Sequence, residues 1–372
     1  MAGVRNLGSM SPPHRRAARP VRRLALVAVA VATTGCAANA AATAPGHVAP
    51  PTTARAAVPT TTTARAGAPH TPPAPGIGSA PLTPPAALVP LGSAASGQGI
   101  WHAAGRDVGG VPAVYETTLL PPGGSQVAGI AWMDTRLLSA RLYSGSRSPG
   151  GGPYRYTAPV QPAQAASLVA AFNGGFIMNV AGGGYYTEGR TVVPLRQGAA
   201  SLVITAGGGV NVGAWGTDVT MAPDVGSVRQ NLVPLVAGGQ PTPGAAGPDW
   251  QAWGSTCGAT SCAATVPGIE HQWRSGVGVT ADGALVYVAG PGLSPLQLAQ
   301  LLVRAGAVRA MQLDINPAWP DFATYDPPAG VPAAPSNGTK LLSTTVQGPW
   351  TFFESWWARD FITMSARPVP GG

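Results

Sequence analysis

The run from Ala307 to Trp319, Ala-Val-Arg-Ala-Met-Gln-Leu-Asp-Ile-Asn-Pro-Ala-Trp, constrains the fold more than any other part of the chain. It is short, largely apolar and alternating, and it ends in an acid, an amide and a proline. It therefore reads as a buried strand that delivers Asp314 and Asn316 to a surface opening. Upstream, Ser294-Pro295-Leu296-Gln297 carries an N-cap serine, a proline at the first helical position and a glutamine at the third, a capping-box start. Leu298, Leu301, Leu302 and Ala305 recur at helical spacing, and Gly306 stands where a left-handed C-terminal cap is expected. Before the helix, residues 274–280 and 284–289 read as two strands joined through Asp282-Gly283, a strong short hairpin signal.

Charge is distributed unevenly. The chain of 372 residues has a formal net charge of +8, yet residues 1–95 hold 8 of the 22 basic side chains and none of the 14 acidic ones. The remainder is formally neutral, so no basic patch argues for nucleic acid. The arginine-rich start runs into an apolar stretch at 24–32 that is too short to span a bilayer as a mature helix, which predicts an export segment. Thr33-Thr34-Gly35-Cys36 is similar to a bacterial lipoprotein box in which Cys36 is lipidated and becomes the new N-terminus. Thr33 stands where an aliphatic residue is usual, and simple cleavage near Ala38-Asn39-Ala40 is the alternative. The expected location is the outer face of a bacterial membrane, or otherwise secretion. Residues 37–95, rich in Ala, Thr and Pro, are expected to form a disordered tether, because so few bulky side chains cannot offset the ordering entropy.

A single domain is expected over 96–372, where all ten tryptophans lie. Strands are predicted at 111–120, 126–133, 137–144, 190–195, 200–206, 210–215 and 231–237, and a first helix at 162–170. Many strands with few inserted helices predict an α+β class. Trp356 and Trp357 are expected in the core. If Cys36 is lipidated, Cys257 and Cys262 are left to form a local disulfide in an oxidising compartment. A zinc site using them would need two further ligands, and only His271 is near in sequence.

Ala171-Phe172-Asn173-Gly174-Gly175-Phe176, then Arg274 to Val279 with Asp282-Gly283, then Gly306 to Asp314, occur in the order and approximate spacing of the phosphodiester glycosidase family. The chain resembles that family, typified by N-acetylglucosamine-1-phosphodiester alpha-N-acetylglucosaminidase, over about residues 101–361. The resemblance implies an α+β domain with a mixed, curved sheet, a pocket at strand ends, and hydrolysis of a sugar 1-phosphodiester, which for an exported chain is expected in an envelope glycan or related substrate. The chain departs from the family where Leu-Asp is usually followed by glycines and a serine, since here Asp314 is followed by Ile315-Asn316-Pro317-Ala318-Trp319.

Breaking a bond from sugar C1 to phosphate develops positive charge on the ring and negative charge on the departing phosphate. A phosphomonoester leaves readily, so the reaction needs a carboxylate facing C1 and a cradle for phosphate more than it needs a second acid. Asp314 is the expected carboxylate, as nucleophile or as base on water. Arg274 and the backbone around Gly174 and Gly175 are the expected cradle. Asn173 and Asn316 would orient hydroxyls or phosphate oxygens, and Trp319 would stack on a sugar. Glu188 is either a second acid or a loop charge. No cofactor is expected, with a divalent ion beside phosphate left open. The alternative reading is a non-catalytic glycan-binding or structural envelope lipoprotein. Oligomeric state is not legible.

Overall fold

The structure, a computed structural model, describes residues 80–90, 97–254 and 269–368. Cys36, Cys257, Cys262 and the expected export segment lie outside the described residues. The architecture corrects the expected class. The described chain is mainly β, built as three sheets of eight, five and five strands. Every pairing between named strands is antiparallel, so there is no mixed sheet among the described residues.

The first sheet runs in the order His102–Ala103, Val114–Leu119, Ala128–Met133, Leu285–Leu293, Gln272–Thr280, Ala307–Gln312, Val236–Ala237, Gln240–Pro241. The second runs Arg190–Val193, Tyr185–Thr187, Val225–Gln230, Ala200–Thr205, Val210–Ala214. The third runs Gly338–Lys340, Phe322–Tyr325, Leu168–Asn173, Phe361–Ala366, Leu138–Tyr143. One central core is shared by all three. It takes Tyr287 and Met311 from the first, Leu202 and Ile204 from the second, and Phe172, Ile362 and Met364 from the third.

The hairpin and the helix form as the sequence predicts. Gly283, at φ +95°, closes the turn between Gln272–Thr280 and Leu285–Leu293. Along Leu285–Leu293 the period of two divides the apolar side chains. Leu285, Tyr287 and Ala289 face the central core, while Val286 and Val288 face the helix Pro295–Arg304 on the other side. Both faces are covered, so the run is continuously apolar rather than alternating with polar residues. In the helix, Ser294 Oγ accepts from the Gln297 amide at 3.1 Å, and Gln297 Oε1 accepts from the Ser294 amide at 3.0 Å. Leu298, Leu301 and Leu302 are fully buried, each contributing about 2 kcal/mol of apolar burial. Gly306, at φ +98°, ends the helix and starts the strand Ala307–Gln312.

Two local predictions fail for a common reason. The expected helix at 162–170 is a single turn, Pro162–Ala165, after which Leu168–Asn173 is a central strand paired on both sides. Its alanines favour helix, but burial between two neighbours overrides propensity. The strand expected at 231–237 is instead Val225–Gln230, followed by the two-residue Val236–Ala237. Arg229 and Gln230 fall outside the expected strand, and their charge and polarity are satisfied mainly by partners far away in sequence. Trp357 is buried as expected, whereas Trp356 is 60% exposed. Residues 80–90, within the stretch expected to be tether, run extended here. Leu82 and Leu88 sit in a core cluster, and the Leu82 amide donates to Asp134 Oδ2 at 2.7 Å.

Candidate active site

Asp314 lies just past the strand Ala307–Gln312, where the ladder with Gln272–Thr280 continues for one more pair. The Leu313 amide donates to the Ser275 carbonyl at 2.7 Å, and the Ser275 amide donates to the Asp314 carbonyl at 2.8 Å. The backbone then turns back on the carboxylate. Asp314 Oδ1 accepts from the Ile315 and Asn316 amides at 2.8 and 3.0 Å. Oδ2 accepts from Arg359 Nη2 at 2.6 Å. Burial pushes the Asp314 carboxyl up to about 6, with the Arg359 charge and those two amides opposing the rise. Such a group is mostly ionised at neutral pH and within easy reach of protonation.

Arg359 and Asp360 immediately precede the strand Phe361–Ala366, and their side chains reach different partners. Arg359 turns to Asp314, also donates to the Gly175 carbonyl at 2.9 Å, and lies 4.8 Å from the centre of the Trp319 ring. Asp360 turns inward to Arg229, whose Nε donates to Asp360 Oδ2 at 2.7 Å in a fully buried pair. Next to Arg229, Asn231 accepts from the Phe176 amide at 2.9 Å and donates to the Gln312 and Leu313 carbonyls. Strand ends from all three sheets thus converge beneath Asp314.

Asp314 and Arg359 form part of the wall of a cavity of about 990 Å³, together with Asn316, Trp319, Arg147 and an apolar side that includes Phe176, Met178 and Ile315. Of the residues expected at the site, Asp314, Asn316 and Trp319 meet here. The others lie elsewhere. Asn173 is buried behind the cavity, where its Oδ1 accepts from the Tyr287 hydroxyl at 2.7 Å and the Asp321 amide at 3.1 Å. Its Nδ2 donates to Ser275 Oγ at 3.1 Å, and that oxygen accepts from the Asp314 amide at 3.2 Å. Asn173 therefore reaches Asp314 through Ser275 and is placed to position it.

Arg274 is fully buried and does not line the cavity. Its five N–H donors go to the Leu293, Trp253, Gly254 and Glu270 carbonyls and to Gln312 Oε1. Burial lowers its pKa to about 10, with Glu270 opposing. No donor is left over for phosphate, and the arginine facing the cavity is Arg359. Gly174 and Gly175 allow close approach of protein rather than of a ligand. A Cβ on Gly174 would lie 2.1 Å from Asp360 Oδ2, and one on Gly175 would lie 2.6 Å from Asn231 Oδ1. Glu188 is an exposed loop charge outside the cavity, accepting from the Arg155 and Tyr156 amides at 3.0 Å. Among the described residues, no group of three or more His, Cys, Asp or Glu side chains is placed to hold a metal ion.

Sequence reasoning missed Arg359, Arg147, Arg229 and Asp360. The one available signal was Arg359-Asp360 at the head of an apolar run, a strand-tip charge pair like the acidic tip at Asp314.

The arrangement supplies a carboxylate and two cations, Arg359 and Arg147, on one recess. The Arg147 side chain forms no hydrogen bond or ion pair with any described residue, and Trp319 offers an aromatic face beside the pair. Such a set can hold an anionic group next to an electrophilic carbon. In comparisons with known proteins, no curated protein matches. Among solved structures, the catalytic domain of zebrafish N-acetylglucosamine-1-phosphodiester alpha-N-acetylglucosaminidase, auto-inhibited by its pro-peptide, aligns at 14% identity over 72% of this chain and 88% of that one, with a TM-score of 0.40. A hypothetical protein from Synechocystis aligns at 12% identity over 69% and 63%, with a TM-score of 0.36. The phosphodiester glycosidase family model matches residues 166–314, a stretch that begins just before the strand bearing Asn173 and ends on Asp314 itself.

Proposed function

We propose that the protein hydrolyses a sugar 1-phosphodiester at the bond between C1 and the phosphate oxygen. The observation that carries this reading is the Arg359–Asp314 pair at the cavity wall, with Asp314 as the last residue of the family match. The phosphate displaces part of the Arg359 contact and bridges to Arg147, while Asp314 faces C1. Either Asp314 takes a proton from the water that adds to C1 as the bond from C1 to the phosphate oxygen breaks, or its carboxylate itself bonds to C1 as the phosphate leaves and water then cleaves that glycosyl ester. The products are a free sugar and a phosphomonoester, and one proton from water passes to the carboxylate. Trp319 packs against the sugar.

Purified protein given a sugar 1-phosphodiester should release both products, and Asp314→Ala should lower kcat by about 10³-fold. Because the carboxylate must be ionised, kcat/KM should fall below a pKa of about 6. Turnover undiminished in Asp314→Ala would sink the reading. Glycan binding without turnover would favour the non-catalytic alternative.

The same proposal places the protein outside the cytoplasm, tethered through Cys36, on the strength of the arginine-rich start, the short apolar run and the small-residue box. Labelled fatty acid should enter the wild-type chain and not Cys36→Ser; equal labelling of both would remove the tether from the proposal.

A further inference from the structure

A second cavity, of about 600 Å³, lies at the far end of the third sheet. The strand Phe361–Ala366 runs from just past Arg359 in the first cavity to just before Arg367 in the second, which sets those two residues roughly 25 Å apart at a rise of about 3.3 Å per residue. This cavity is lined by three arginines, Arg106, Arg141 and Arg367, against one carboxylate, Asp107. None of the three is in a salt bridge among the described residues.

Their hydrogen bonding is uneven. Arg106 donates to the Ala166 and Val331 carbonyls, and Arg367 donates from Nε to Thr135 and from Nη1 to Gly207. Those bonds fix two guanidinium groups by their backs against carbonyl oxygens, which leaves them positively charged and held in place. Arg367 Nη2 has no partner. Arg141 is the third, half-buried, with its Cζ 4.1 Å from the centre of the Tyr156 ring. It forms no hydrogen bond or ion pair with any described residue, so its whole donor fork is uncommitted. Asp326 and Asp134 are the carboxylates acting on Arg106 and Arg367 from outside the lining.

Three like charges held around one recess repel one another, and an anion resolves that repulsion. Arginine forks match the tetrahedral oxygens of phosphate in a way that a lone ammonium does not. Ser139, Ser167 and Gln164 add neutral polar groups to the lining, and the volume suits a phosphorylated monosaccharide. We infer that the cavity bounded by Arg141, Arg367 and Arg106 is a phosphate-binding site, separate from the Asp314 cavity, for the phosphate of a phosphorylated saccharide. The inference is independent of the hydrolytic reading, because it uses no residue of the first cavity.

The test uses full-length protein carrying Arg147→Gln and Arg359→Gln, which removes the cations of the first cavity. Titrated with inorganic phosphate and with a hexose 6-phosphate, this protein should still bind one equivalent. Adding Arg141→Gln should weaken that binding at least tenfold, since Arg141 makes no bond that folding depends on. Arg196→Gln, an exposed arginine outside the cavity, should change it little and controls for net charge. Glucuronate tests a carboxylate in place of phosphate and should bind more weakly. The inference is overturned by absence of saturable binding in the Arg147→Gln, Arg359→Gln protein, by equal losses with Arg141→Gln and Arg196→Gln, or by glucuronate binding where phosphate does not.

Discussion

Residues 359 and 360 are neighbours in the chain just before the strand Phe361–Ala366, and each forms an arginine–carboxylate pair, yet the two pairs serve different ends. Arg229–Asp360 is sealed, with side chains 1% and 0% exposed, behind the Asn173-Gly174-Gly175 turn. Arg359–Asp314 opens on a cavity, with side chains 10% and 3% exposed. One step along the backbone separates a fixed structural clamp from a pair that a ligand can enter. The inner pair explains why the glycines are needed, since the turn must pass within contact of Asp360 and Asn231. The outer pair receives the benefit, because Gly175 presents its carbonyl to Arg359 and Phe176 forms part of the apolar wall.

The comparison predicts opposite phenotypes. Asp360→Ala leaves Arg229 charged and buried without its counter-ion, so it should cost about 3–5 kcal/mol of stability, read by urea unfolding. A cost under about 1 kcal/mol would erase the distinction between the two pairs. Arg359→Gln should cost less stability than Asp360→Ala, because Asp314 keeps the Ile315 and Asn316 amides and can take up a proton, and should lower kcat/KM by about 10²-fold. Without the guanidinium, Asp314 should ionise at a pH above about 6, moving the acid limb of the profile upward. A limb that stays in place would show that Arg359 does not act on Asp314.

A third carboxylate sharpens the contrast because it has no arginine at all. Asp321 is fully buried behind Asn173, and neither carboxylate oxygen has a partner in hydrogen-bonding geometry. Burial pushes it up to about 8, although the Thr351 hydroxyl, the Lys340 charge and the Phe322 amide lie near enough to oppose the shift. Between the ordinary carboxylate value of about 4 and that raised value, the folded state holds a proton that the unfolded chain has released. This group's contribution to stability therefore declines as pH climbs through that window. Asp321→Asn should remove the slope, gaining roughly 1–3 kcal/mol over wild type at pH 8 and much less at pH 5. Equal differences at the two pH values would mean that the group is not protonated in the fold.

What was legible in the sequence was local. The capping box at Ser294, the stop at Gly306 and the turn at Gly283 are each decided within a few residues, and each forms as read. The position of Asp314 follows from them, because a strand that starts at a fixed cap must end within a residue or two of a fixed point. The failures are as regular as the successes. Leu168–Asn173 looked helical because propensity is local, whereas its pairing with Phe361–Ala366 spans nearly two hundred residues. Arg274 looked available because a lone arginine carries no sign of the carbonyls that consume its donors. The α+β class failed for the same reason as the first helix, since chain pairing and not composition decided how much of the body became sheet.

By itself, then, the sequence determined the helix, the hairpin and the aspartate at the strand tip, along with the order of motifs that resembles the phosphodiester glycosidases. Only the tertiary structure decided which cation faces that aspartate and which groups merely support it. Caps, turns and periodicity are short-range effects encoded by neighbouring residues. Charge pairing between residues 314 and 359, or 229 and 360, depends on three sheets closing on one another, and no local pattern records that closure.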